Sequence, residues 1–156
     1  MSIPVDALTD YADHAVDTLT SIVTSLGDLS NQRPDLPGAN SPYAIMTHCL
    51  GVMAYWGGHV VAGRDVPRDR AAEFTATGRV TDLVAAAQQA KIQFRADALT
   101  ADPPAPPRRP AARRGPDVLE VRSQGHALLH VLEELYRHLG QAELTRDLLL
   151  AHDSLG

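Results

Sequence analysis

The sequence predicts an all-α protein, a four-helix bundle, from three observations. Apolar residues recur at spacings of three and four in four separate segments, the period of a helix with one buried face. No segment shows the alternation of β-branched and aromatic residues between turn signals that marks a strand. The chain has 156 residues, 44% hydrophobic and 21% charged, so it can bury one core and its composition is globular. Four amphipathic helices in so short a chain cover their apolar faces by packing on one another, and one domain over 1–156 is expected.

The first helix is expected from about Val5 to Leu26. Ala12, Ala15, Val16, Leu19, Ile22, Val23 and Leu26 mark its inward face, and Gly27 stops it. A loop rich in Pro, Gly and Asn follows, from Asp28 to Asn40. The second helix has a clear start: Ser41 can cap it, and Pro42 falls at the first helical position, where a missing N–H costs nothing. Ile45, Met46, Cys49, Val52, Met53 and Trp56 give its apolar face, and Gly63 its end. The charged stretch from Gly63 to Arg70, with Glu73 and Phe74, reads as a solvated connection.

A third helix is expected from about Val80 to Leu99 through Leu83, Val84, Ala87, Ile92 and Phe94. Residues 102–116 carry six prolines and four arginines and read as a surface loop. The last helix is expected from about Val118 to Leu150, with Leu128, Leu129, Leu132, Leu135, Leu139, Leu144 and Leu148 as core candidates. Gly125 and Gly140 lie inside it, and a bend or break is expected near Gly140.

Charge and composition exclude several functions. The formal charge is −5, which argues against nucleic acid or an anionic membrane as partner. The arginines at 108, 109, 113 and 114 lie among prolines without interleaved aromatics. Cys49 is the only cysteine, so no intramolecular disulfide forms. No apolar run approaches the ~20 residues of a membrane span, and the N-terminus lacks a signal peptide's basic start and apolar run. A soluble cytoplasmic protein is expected. Lys91 is the only lysine among fourteen basic residues, a usage that goes with a GC-rich genome.

Seven histidines are many for a small acidic chain, and they are not scattered. His126, His130, Glu134 and His138 recur every four residues on the last helix. Such steps drift by only about 40° each, so the four form one stripe along the edge of the leucine face. Polar groups there are costly unless hydrogen-bonded or bound to something. Imidazole and carboxylate one turn apart can close on one metal ion. His48, between Ile45 and Val52, edges the inward face of the second helix. Alone it reads as a satisfied core histidine; beside the stripe it becomes a candidate ligand.

The run Ser41 to Gly51 and the run Leu128 to Gln141, ending His-Leu-Gly-Gln, resemble the DinB-like family over nearly the whole chain. The likeness is to its actinobacterial, mycothiol-dependent branch. That branch includes the mycothiol S-transferases and the N-terminal domain of mycothiol-dependent maleylpyruvate isomerase. The resemblance implies a four-helix bundle with a divalent metal held by one histidine of the second helix and two ligands four residues apart on the fourth. Here these are His48, Glu134 and His138. Two nitrogens and one carboxylate suit zinc, with nickel, manganese and iron as alternatives. Three protein ligands leave a position open, and a thiol entering it would be held as thiolate.

The implied function is a metal-dependent S-transferase that joins a low-molecular-weight thiol, mycothiol, to an electrophile in detoxification. The isomerase activity is less expected, because that enzyme resembles this chain only in its first domain. The alternative is a non-catalytic, metal-binding stress-response protein. A ferritin-like di-metal protein would need paired Glu-x-x-His motifs, and none is present. His130 is expected to orient a neighbouring ligand by hydrogen bonding, with a fourth-ligand role as the alternative. His126, His14, His59 and His152 fall outside the site. Arg68 and Arg70 are candidates for binding the sugar-bearing thiol. Cys49 reads as a small buried group, because on a helix it points about 100° from His48. Either a monomer or a homodimer is compatible with these expectations.

Overall fold

The computed structural model describes residues 3–111 and 119–154, and among these there are helices and loops but no strand. Helix α1 spans Val5–Leu26, and every apolar position expected to face inward is buried. Gly27 ends it at φ 55°, a backbone angle that an L side chain seldom adopts. A 3-10 turn, Gly27–Asn31, leads into the loop before α2.

Helix α2 spans Pro42–Val52 and starts as its sequence dictates. The Ser41 hydroxyl accepts a hydrogen bond from the Ala44 N–H at 3.2 Å, and Pro42 follows at the first helical position. From Met53 to Val61 the helix continues with π-type hydrogen bonding, and Gly63, at φ 76°, closes the segment. Packing accounts for the glycines here. A Cβ on Gly57 would lie 2.6 Å from the Phe94 ring, and one on Gly58 would lie 2.2 Å from the Arg64 guanidinium. That guanidinium donates to both carboxylate oxygens of buried Asp97, at 2.9 and 2.7 Å.

The connection that follows is therefore not simply solvated. Arg64 is tied to Asp97, and the one-turn helix α3, Arg70–Glu73, buries Glu73. Asp69 caps α3 by accepting from the Ala72 N–H at 3.0 Å. Helix α4, Val80–Leu99, has the expected bounds and turns Leu83, Ala87, Phe94 and Ala98 inward. Ile92 is a correction: it is 65% exposed, because it sits off that stripe.

Helix α5 spans Gln124–Asp153 and differs from expectation in three ways. It starts later: residues 119–122 are not helical, and Ser123 caps the helix by accepting from the His126 N–H at 3.2 Å. The expected start at Val118, together with Arg113 and Arg114, lies outside the described residues. It runs through Gly140 without a break. Finally, Leu129, Leu144 and Leu148 are exposed, while Ala127, Val131, Ala142 and Leu149 join Leu128, Leu135 and Leu139 in the core. Gly125 has a packing reason, since its N–H donates to the Pro103 carbonyl at 2.9 Å and a Cβ would sit 3.0 Å from that oxygen.

Helices α1, α2 with its π-type extension, α4 and α5 pack as a bundle. Helix α1 lies against α4 and α5, α2 and its extension lie against α5, and the extension also packs on α4. No helix among the described residues is long and apolar enough to cross a membrane.

Candidate metal centre

The contact of α2 with α5 brings a histidine from one helix onto a carboxylate and a histidine from the other. His48 is fully buried and Glu134 is 3% exposed. Its position one turn before His138 puts both α5 groups on one side of that helix. His48 Nε2 lies 3.3 Å from Glu134 Oε2, and His138 Nε2 lies 3.7 Å from the same oxygen. The two imidazoles meet edge to face, with centroids 4.5 Å apart. One ligand atom from each of the three side chains lies within 4.8 Å of the others, so the group could hold a metal ion.

The hydrogen bonds behind the rings favour a cation in that space. His48 Nδ1 is 2.7 Å from Glu73 Oε2, and a carboxylate there accepts the Nδ1 proton. His138 Nδ1 is 2.8 Å from Gln141 Oε1, an amide oxygen that also accepts. With Nδ1 carrying the proton in both rings, both Nε2 atoms present lone pairs toward Glu134 Oε2. Two lone-pair nitrogens and an anionic oxygen repel one another unless a proton or a metal ion lies among them. The set also matches the nitrogen and oxygen donors that divalent transition metals take.

Glu73 is the residue that sequence reading missed. Its carboxylate is held at both oxygens: Arg68 Nε donates to Oε1 at 2.8 Å, and Arg68 Nη2 to Oε2 at 3.0 Å. Burial alone would raise its pKa. The hydrogen bonds from His48 and Arg68, with their charges, outweigh burial and hold it below the ordinary carboxylate value. In the sequence Glu73 read, with Phe74, as part of a solvated connection; Asp69, which caps the short helix, is the local signal for a turn of helix at that point.

Around this core, Phe74 stacks on the His48 ring with centroids 4.3 Å apart, and the Arg70 guanidinium lies 5.1 Å from the Phe74 centroid. Arg68, expected as a substrate contact, is committed to Glu73 and lies 5.5 Å from the Tyr55 ring. Arg137 donates to Glu134 Oε1 at 3.2 Å and pairs with Glu133. His130 pairs with Glu133 at 3.1 Å and meets the Trp56 ring edge to face. His130, Glu133 and Glu134 form a second group of ligand type, but Arg137 already places a cation on both carboxylates. His126 accepts from the Arg122 N–H at the start of α5, apart from the centre, and His14 and His152 are exposed.

Cys49 is fully buried, and its thiol pKa is pushed far up by burial and by the negative charges of Glu134 and Glu73. It is therefore a poor nucleophile. Beside the Arg68–Glu73 pair lies an open cavity of about 260 Å³, with Thr47, Gly51, Ala54 and Pro67 among its walls.

A family model described as mycothiol-S-transferase matches residues 7–151. No curated protein and no solved structure matches the chain.

Proposed function

We propose a mechanism from one premise: the chain belongs to the mycothiol S-transferase family, whose model, matching residues 7–151, reaches into all four bundle helices. The protein is an enzyme of that family, and mycothiol is the thiol it transfers. The observation that carries the mechanism is the convergence of His48 Nε2, His138 Nε2 and Glu134 Oε2. These three residues hold a divalent metal, and two nitrogens with one carboxylate oxygen suit zinc. When bound, such an ion lowers the pKa of a thiol at its open position and so supplies a nucleophile at neutral pH.

The chain's own residues do the rest. Glu134 offers Oε2 to the centre while Arg137 holds Oε1, which fixes the carboxylate plane. Phe74 covers one face of His48 and keeps water from that side of the ring. Cys49 takes no part, so the nucleophile arrives with the substrate. In the transfer, the mycothiol sulfur forms a bond to the electrophilic carbon and the leaving group departs with its electron pair. The thiol proton passes to solvent. Arg70, exposed above Phe74, is the better placed of the two arginines to meet the sugar hydroxyls or a carboxylate of the thiol. Every group in this scheme comes from one chain, so a monomer suffices. An actinobacterial source accords with the arginine-rich composition.

The test is product formation from mycothiol and a reactive alkyl halide. His48→Ala and metal chelation are expected to abolish it, and Cys49→Ala to preserve it. Activity that survived chelation but vanished in Cys49→Ala would replace the metal mechanism with a cysteine one.

A further inference from the structure

The carboxylate behind His48 occupies space that α2 leaves open for it. Gly51 lies one turn after His48 on the same helix, and a Cβ there would fall 2.1 Å from Glu73 Oε1 and 2.7 Å from its Cδ. A free glutamate would simply swing aside. This one is held, since His48 Nδ1 and both donor nitrogens of the Arg68 fork converge on its two oxygens. Its helix is held as well. Asp69 caps α3, Arg33 donates to the Phe74 carbonyl at 3.1 Å, and Asn31 exchanges two hydrogen bonds with the backbone of Gly78.

An ion pair whose only task was to pin the loop would need neither the contact with His48 nor a bare α-carbon on α2. A group that orients a metal-binding imidazole needs both. The second nitrogen of such a ring ordinarily donates to a carboxylate or carbonyl, which sets the tautomer and ring angle and makes the ligating nitrogen more basic.

We propose that Glu73 is a positioning residue for the metal site: clamped by Arg68 in the space left by Gly51, it fixes His48 with Nε2 presented to the ion. The inference rests on the reading that His48, Glu134 and His138 hold that ion. It assigns Arg68 to the architecture of the centre and not to the thiol.

The test is the affinity for cobalt(II), read by calorimetry and by visible d–d absorption. It is measured on metal-free protein at a temperature where circular dichroism shows each variant folded. Under that condition a change in fold stability alone leaves the affinity unmoved. Glu73→Gln keeps an acceptor but loses the charge and is expected to weaken binding about 10-fold; Glu73→Leu loses both and is expected to weaken it about 100-fold. Gly51→Ala changes no polar group, yet it drives the carboxylate off His48. It is expected to weaken binding by about 10-fold or more, with a shifted d–d band.

Wild-type affinity and an unchanged band in both Glu73→Leu and Gly51→Ala would overturn the inference while leaving the metal site intact. A different failure belongs to the underlying reading: wild-type protein that takes up no cobalt, or a His48→Ala/His138→Ala variant that binds it as tightly as wild type. Either would overturn the metal centre and this inference with it.

Discussion

Helices α1 and α5 pack against each other, and they spend their inward positions differently. Along α1 the buried positions are Ala, Val, Leu and Ile, with Thr9 the one polar side chain among them. Along α5 the buried stripe includes Gln124, Glu134 and Thr145 between its apolar residues. Burying a carboxylate in water's absence is costly unless partners satisfy it. The partners of Glu134 include His48 from α2, with His138 and Arg137 from α5 itself. Helix α1 therefore supplies hydrophobic stability, whereas the middle of α5 gives up some of it to hold a polar centre. Damage to the two helices should register in different measurements.

The largest effect is expected where a fully buried core leucine is truncated, and α1 offers the case remote from the polar centre. Leu19 is fully buried, and Leu19→Ala removes its packing and leaves a cavity. The expected loss is about 2–5 kcal/mol of unfolding free energy, read by denaturant titration. Metal content and turnover per folded molecule should stay at wild-type levels, because Leu19 touches none of the ligands' hydrogen bonds. A proportional loss of metal affinity would erase the distinction between the two helices.

Next comes removal of the ion. Binding to the folded state alone stabilises by about 2.7 kcal/mol at a free metal concentration a hundred times Kd. Chelation should lower the melting temperature accordingly and leave the helical dichroism intact, since the leucine and valine core does not need the ion. Glu134→Gln keeps the side-chain size but loses the anionic ligand, so its melting temperature should respond little to added zinc. If chelation instead melted the bundle outright, as it does a zinc finger, the site would be structural.

The same contrast explains what the sequence could and could not reveal. Helix α1 was legible to its ends, because apolar periodicity and Gly27 agree and nothing else competes for its inward face. Helix α5 was legible as a helix but not in phase. Leucines at 129, 144 and 148 look like core, yet the stripe is set by smaller residues, Ala127, Val131 and Ala142, that let neighbouring helices approach. The late start of α5 was hidden because Leu119 and Val121 continue the apolar character ahead of the Ser123 cap. In the centre, the one-turn spacing marked Glu134 and His138 only together with His126 and His130, and it was the family resemblance that singled out His48, Glu134 and His138 as the ligand set. Glu73 could not be read, because it meets His48 across 25 positions from a four-residue helix too short to carry a period. Such a contact exists only once the loop is folded.

Two smaller effects sharpen the contrast within α5. Gly140 is exposed, lies in the interior of an unbroken helix, and has nothing within 4 Å of the position a Cβ would take. Gly140→Ala should therefore stabilise the protein by up to about 1 kcal/mol through helix propensity alone. The measurement is again denaturant titration. A destabilisation would mean that the glycine serves a bend, as its sequence position suggested.

The smallest effect is expected at Leu144. It is 59% exposed, two residues beyond buried Ala142 and so on the opposite side of α5. Truncation there removes little surface from a packed environment, and alanine is at least as good a helix former as leucine. Leu144→Ala should change unfolding free energy by no more than about 0.5 kcal/mol, the range of ordinary surface substitutions. Leu135→Ala, nine positions earlier and fully buried, should cost about 2–5 kcal/mol in the same assay. The pair separates residue identity from helical phase: both are leucines on one helix, and only the second faces the bundle. Equal losses at the two positions would mean that the exposed face of α5 is covered in solution, which a concentration-dependent melting temperature would reveal as self-association.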